Sequence, residues 1–119
     1  MSESEANGAE TCWVIVAELT ALPAWLALPR EQRRTIADRV AGEAGRHSDV
    51  RVRWLDAEAF TGECSDVLIA ETADLAAWYD LFEMLRDTEL FATPYYRIER
   101  IITGLEDGHR AYDKALEAR

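Results

Sequence analysis

The sequence predicts an α+β domain of the ferredoxin-like βαββαβ class, followed by a tail helix. Three observations carry that expectation. Four short segments are rich in β-branched and apolar residues, two of them apolar on both parities and two alternating. Two longer segments, one after the first strand and one after the third, place apolar residues at helical spacing. The resulting order, with the right-handed crossovers that β-α-β units adopt, closes into a split β-α-β sandwich.

Residues 1–10 are polar and acidic, and are expected to form a disordered leader ahead of a single domain over 11–119. They lack the basic and apolar regions of a secretory signal. Thr11 to Leu19 (TCWVIVAEL) is apolar on both parities and predicts a central strand. Ala21-Leu22-Pro23 interrupts it. A short turn over 23–27 is expected, then a helix from Pro29 to about Ala44 with Ile36, Ala37, Val40, Ala41 and Ala44 on its inner face and Gly45 as its stop.

Val50 to Asp56 (VRVRWLD) sets Val50, Val52 and Trp54 against Arg51 and Arg53, the pattern of a half-buried strand. Thr61-Gly62 marks a turn, and Asp66 to Glu71 (DVLIAE) a second largely apolar strand. Asp74 or Thr72 caps a helix whose expected face is Leu75, Trp78, Phe82 and Leu85. After Pro94, Tyr95 to Thr103 alternates as the fourth strand, with Gly104 expected to end it, and 106–118 reads as a polar helix. Strands one and three should be central. Strands two and four carry the charged residues that protect sheet edges.

Two helices cover only one face of such a sheet, yet the central strands are apolar on both. Either Trp13, Ile15 and Ala17 or Cys12, Val14 and Val16 must face away from the helices. An apolar patch of that kind marks an interface. The expected assembly is a homodimer packed sheet to sheet, a dimeric α+β barrel.

Composition limits the partners. The 119 residues carry 23 Asp and Glu against 13 Lys and Arg, a formal net charge of −10, which disfavours nucleic acid and anionic membranes. No stretch is long and apolar enough to cross a bilayer. Two isolated cysteines, Cys12 and Cys64, do not form a zinc pattern and are expected as reduced, small hydrophobes of a cytoplasmic protein.

The stretches Leu22 to Arg33 (LPAWLALPREQR), Asp56 to Val67 (DAEAFTGECSDV) and Glu71 to Tyr96 (ETADLAAWYDLFEMLRDTELFATPYY) together resemble the darcynin family of small bacterial proteins, over about residues 12 to 108. The resemblance implies the ferredoxin-like architecture and no settled reaction. More distantly, the layout is similar to dimeric α+β barrel proteins, among them cofactor-free monooxygenases, polyketide cyclases, lactone isomerases and haem-handling enzymes. That second link is one of fold, which does not determine chemistry.

Several residue groups are candidates for chemistry. From Trp54 through Leu85 there are eight acids and no basic residue. A turn at Thr61-Gly62 places Asp56 opposite Asp66, where two facing carboxylates can act as an acid/base pair, bind a hard cation, or simply stabilise a solvated hairpin. Arg51 and Arg53 share one strand face and can hold an anionic group, or serve as rim charges, with Arg97 and Glu99 expected on the equivalent face of strand four. Glu18, within a central strand, needs an Arg partner or lines a pocket as a base.

Trp54, Trp78, Tyr95 and Tyr96 are candidate cavity walls, with Tyr95 and Tyr96 expected on opposite faces and Tyr79 as a proton-transfer group beside Asp56 and Asp66. His47 and His109 are expected at the surface. No nucleotide, haem-attachment or metal motif is present, so no cofactor is expected. The functional expectation is a cofactor-independent enzyme for a small aromatic or polyketide-like metabolite (cyclisation, isomerisation or oxygenation) in a sheet–helix cavity. The alternative is a non-catalytic ligand-binding or protein-interaction module.

Overall fold

The computed structural model describes residues 11–119; the acidic leader, 1–10, lies outside the described residues. The chain forms β1 (Trp13–Ala21), α1 (Pro23–Leu26), α2 (Arg30–Gly45), β2 (Val50–Asp56), β3 (Asp66–Thr72), α3 (Leu75–Asp87), α4 (Glu89–Ala92), β4 (Tyr96–Leu105) and α5 (Gly108–Glu117). The strands make one antiparallel sheet in the order β2-β3-β1-β4. This is the ferredoxin-like arrangement, with the apolar strands β1 and β3 central and the charged strands β2 and β4 at the edges.

Ile15, Ala17 and Leu19 of β1 and Leu68 and Ala70 of β3 are buried under the helices, where Ile36, Val40, Leu81, Phe82 and Leu85 meet them. Val14, Val16 and Glu18 therefore face away, in register with Glu71, Ile69 and Val67 of β3 and with Gly104, Ile102 and Arg100 of β4. The open face is an apolar centre (Val14, Val16, Val67, Ile69, Ile102) between charged rows. Across it Glu18 accepts from Arg100 at 2.8 Å, and Glu71 pairs with Arg51 at 3.3 Å.

Local chemistry explains the boundaries. Asp74 caps α3 by accepting from the Ala76 N–H at 2.9 Å, and Thr72 accepts from the Asp74 N–H at 3.1 Å while donating to the Asp49 carbonyl at 2.8 Å. Asp107, at φ 54°, turns the chain from β4 into α5 through the left-handed region that Asp tolerates better than most residues. Between α2 and α4, Arg39 pairs with Glu89. Both side chains are largely solvated, so the pair orients the helices more than it stabilises them.

Four expectations need correction. β1 starts and ends two residues later than the 11–19 expected, because the backbone ladder continues to Ala21, opposite Tyr96. Gly104 does not end β4: it pairs with Val14, and Leu105 pairs with Trp13 beyond it. On α3 the inner face includes Leu81, fully buried, while Leu75 is 38% exposed at the first turn. Tyr95 precedes β4 rather than opening it, and β4 carries a bulge at Glu99, the extra residue between Glu18↔Arg100 and Leu19↔Ile98. Glu99 accepts from Thr20 at 2.6 Å and from Arg97 at 2.8 Å.

Ile15→Ala, at a site with no solvent exposure, is expected to lower unfolding free energy by about 2–5 kcal/mol in urea denaturation. Leu26→Ala, at a 56% exposed site, is expected to change it by less than about 0.5 kcal/mol.

Candidate functional site

A cavity of about 420 Å³ lies between α2 and the β2 edge of the sheet. Its helix wall is Ala37, Val40, Ala41, Ala44 and Gly45, with the Asp38 carboxylate beside it. Small residues at helical spacing make this wall flat. The opposite wall is Val52 and Trp54 of β2 with Leu68 of β3, and Leu85, Leu90, Trp25 and Tyr96 complete the lining. The space is apolar with few polar groups, the usual character of a small-molecule site.

One end is an aromatic corner. Tyr96 stands edge-on to Trp54, with ring centroids 5.7 Å apart at 84°, and packs on Trp25 at 5.4 Å. Tyr95 packs on the same Trp25, also at 5.4 Å, so the two adjacent tyrosines share an aromatic neighbour instead of dividing between the sheet faces. The Trp54 indole N–H donates to Asp66 Oδ2 at 2.8 Å, and Ser65 Oγ donates to Asp66 Oδ1 at 2.6 Å. Ser65 in turn accepts from the Ala21 N–H at 2.7 Å, tying the β3 entry to the end of β1.

The register places Asp56 opposite Asp66, as the hairpin reading expects. Asp66, with both oxygens accepting hydrogen bonds, positions Trp54 at the cavity wall. Trp54 and Tyr96 are the candidate residues that line the cavity directly. Trp78 stacks on Phe82 at 4.9 Å in the helix layer, outside the lining. Tyr79 is 64% exposed on α3, also outside it. Arg51 and Arg53 alternate with the cavity-facing Val52 and Trp54, and so lie on the open face with Glu18 and Arg97.

Sequence reasoning did not single out Trp25 and Asp38 as wall residues. The flat wall was visible, however, as the Ala37, Ala41 and Ala44 spacing. Cys12 and Cys64 are free and half-buried, and burial pushes both thiols up, away from the reactive thiolate. His47 is half-buried beyond α2, more enclosed than expected because the chain turns there into β2, and His109 is exposed.

Burial holds the Tyr96 phenol well above the ordinary tyrosine range. The carboxylates of Asp66 and Glu58 reinforce this, Arg33 opposes it, and Asp56 adds a further increment. The folded protein thus keeps this proton more tightly than the unfolded chain does. The stabilisation is complete below about pH 10, the unfolded value, and is lost as pH rises through the higher folded value. Alkaline absorbance titration is expected to show one late-ionising tyrosine, and Tyr96→Phe is expected to remove that phase and flatten the loss of stability above about pH 10.

A family model described as "Darcynin, domain of unknown function" matches residues 4–118, further at both ends than the resemblance suggested. Darcynin of Chromobacterium violaceum is 48% identical over 71 residues, which cover 60% of this chain and 90% of that protein. Darcynin 1 of Acinetobacter baumannii is 35% identical over 89 residues, 74% of this chain and 99% of that protein. Among solved structures, chlorite dismutase from Candidatus Nitrospira defluvii in complex with imidazole superposes with a TM-score of 0.73 at 15% identity. A haem-binding protein from Thermus thermophilus superposes with 0.72 at 18%. Each match covers 87% of this chain but 44% of the solved chain, so this chain spans less than half the length of either. At these identities the structural likeness shows the fold; the family match and the curated relatives show that the chain belongs to the darcynin family.

Proposed function

We propose that this protein binds a small, planar, largely apolar metabolite in the α2–β2 cavity and acts on it without a metal or haem. The observation that carries the reading is the cavity itself: about 420 Å³ between a flat alanine wall and the Trp54–Tyr96–Trp25 corner. Haem, which one structural neighbour binds, fits these walls poorly. Among the described residues the lining contains no His, Cys or Met to hold iron. Its tyrosine, Tyr96, is held in the protonated form, the opposite of what a phenolate ligand requires.

A tyrosine that stays protonated in an apolar site is suited to donate a hydrogen bond to a developing oxyanion, as in enolisation, isomerisation or cyclisation. In this reading Tyr96 is the donor and Asp38 the proton acceptor, while Asp66 fixes Trp54 and the facing Asp56 keeps the hairpin end acidic. A binding module without catalysis is the second reading. It is favoured by the exposure of Asp38, which leaves the cavity, among the described residues, without an enclosed base. Among the described residues no helix is long and apolar enough to cross a membrane.

The assembly we propose is a homodimer through the open sheet face. Its apolar centre, flanked by Arg51, Arg53, Glu71, Glu18 and Arg100, can meet its own copy with opposite charges opposed. The solved chains of this fold, more than twice as long as the present matched region, leave room for two such units.

Two measurements test these readings. A thermal-shift screen of planar aromatic compounds is expected to return binders whose shift disappears in Ala41→Trp, which fills the cavity. Unchanged shifts in that variant would place binding elsewhere. A bound compound that is converted, and at least about tenfold more slowly in Tyr96→Phe, supports the enzyme; one recovered intact supports the module. Sedimentation is expected to give twice the 13.5 kDa chain mass, and Val16→Arg, which sets a charge in the open face, is expected to give the monomer. A wild-type monomer at micromolar concentration would refute the dimer.

A further inference from the structure

Tyr96 reaches the cavity from the far side of the sheet. It opens β4, and in the order β2-β3-β1-β4 two strands separate it from β2, whose Val52 and Trp54 form one cavity wall. Neighbouring strands lie about 4.8 Å apart, so the two edge backbones are roughly 14 Å apart. The Tyr96 ring spans part of that width beneath the helices and meets Trp54 edge-on. The hydroxyl is the atom furthest from its own strand, so the phenol enters the aromatic corner hydroxyl end first.

That hydroxyl has no acceptor. Tyr96 is 8% exposed, yet among the described residues its O–H donates to nothing. Trp25, also 8% exposed and packed on Tyr96, leaves its indole N–H equally unused. Buried tyrosines and tryptophans usually satisfy these groups, as Trp54 does through Asp66. Neither idle donor is sealed inside packed protein, and the open space that both side chains border is the cavity. An acceptor on the occupant of that space would satisfy them. Its charge is constrained as well. Among the described residues the lining holds one charged side chain, the acidic Asp38, and no Lys, Arg or His. An anion would enter without a counter-charge, against the field of a chain of net charge −10.

We infer that the ligand of this cavity is an uncharged aryl ketone, its ring system between the alanine wall and Trp54 and its carbonyl oxygen accepting from the Tyr96 hydroxyl. The inference rests on the cavity being a ligand site and adds the polarity, charge and orientation of what enters it. A ketone oxygen is terminal and carries two lone pairs, so the Trp25 N–H of the same corner can share it without displacing Tyr96. A hydrocarbon of the same shape would leave the phenol unpaired, the discrimination that a buried donor imposes. A carboxylate would find donors here but would bring a charge that nothing in the lining offsets.

The test uses the full-length protein and three matched probes at neutral pH. They are 2-acetylnaphthalene, naphthalene-2-carboxylate, and 2-isopropenylnaphthalene, in which a methylene group replaces the ketone oxygen. Binding is followed by tryptophan fluorescence, since Trp25 and Trp54 both border the cavity. The ketone is expected to bind about tenfold or more tightly than the carboxylate. Its carbonyl infrared stretch is expected to fall, when bound, below its position in hexane, the mark of an accepted hydrogen bond. Tyr96→Phe is expected to reduce that fall and to weaken the ketone about fivefold relative to the hydrocarbon. A carboxylate that binds as tightly as the ketone overturns the inference, and so does a bound carbonyl stretch at its hexane position. So does a ketone-to-hydrocarbon ratio that Tyr96→Phe leaves unchanged. In each of these cases, hydrocarbon binding that Ala41→Trp abolishes leaves the cavity reading intact. Binding of no probe, or binding indifferent to Ala41→Trp, overturns the cavity reading and the inference together. The carboxylate and infrared comparisons need only the wild type, so a misfolded substitution does not protect the idea.

Discussion

The Trp54 indole stands at an edge strand, partly in solvent, and its N–H is held by Asp66 across the β2–β3 ladder. Much of the rest of the molecule depends on that bond. Held there, the indole offers its ring to Tyr96, and Tyr96 offers its own to Trp25 of the first short helix. The corner links both edge strands to the segment that leads into α2. Ser65, beside Asp66, bonds the last residue of β1, so the hairpin cannot shift without disturbing the centre of the sheet. An aromatic corner fixed from both sides keeps side chains of α2 from collapsing onto β2, and the cavity is what remains between them.

The two sheet faces have different requirements. The covered face is filled by Ile15, Leu19, Leu68 and the leucines of α3, and its packing sets stability. The open face is apolar along its centre and charged in rows, which suits association more than solvation. The net charge of −10 belongs to neither face alone. Eight of its acids lie between Trp54 and Leu85, on the hairpin and α3, which leaves the Arg-bearing side of α2 as the less acidic approach to the cavity.

The fold was legible because its signals are local and repeated. Alternation marked β2, double-sided apolarity marked β1 and β3, and Asp74 announced α3. The hairpin register followed from one turn, so the Asp56–Asp66 pairing was legible too. The cavity was only half so. Ala37, Ala41 and Ala44 read as a helix face, but small side chains that leave space look the same in sequence as small side chains that fill it. Trp25 reaches the site through tertiary folding, and no spacing in the chain reports that. Tyr79 and Trp78, attractive by residue type, sit on a helix whose inner stripe is set by Leu81, Phe82 and Leu85.

The bulge at Glu99 has a wider meaning than a local kink. Along β4, Ile102 and Arg100 point to the open face, and strict alternation would send Ile98 and Tyr96 there as well. The extra residue advances the strand by half a period, so Ile98 and Tyr96 turn under the helices instead. One edge strand thereby serves two surfaces: its second half supplies the proposed contact between copies, and its first half supplies the phenol of the cavity. Length at this point is a phase rather than a distance. Were Glu99 retained but paired in a regular ladder, the first half of the strand would exchange its two faces, moving the phenol to the outside and Arg97 into the aromatic corner.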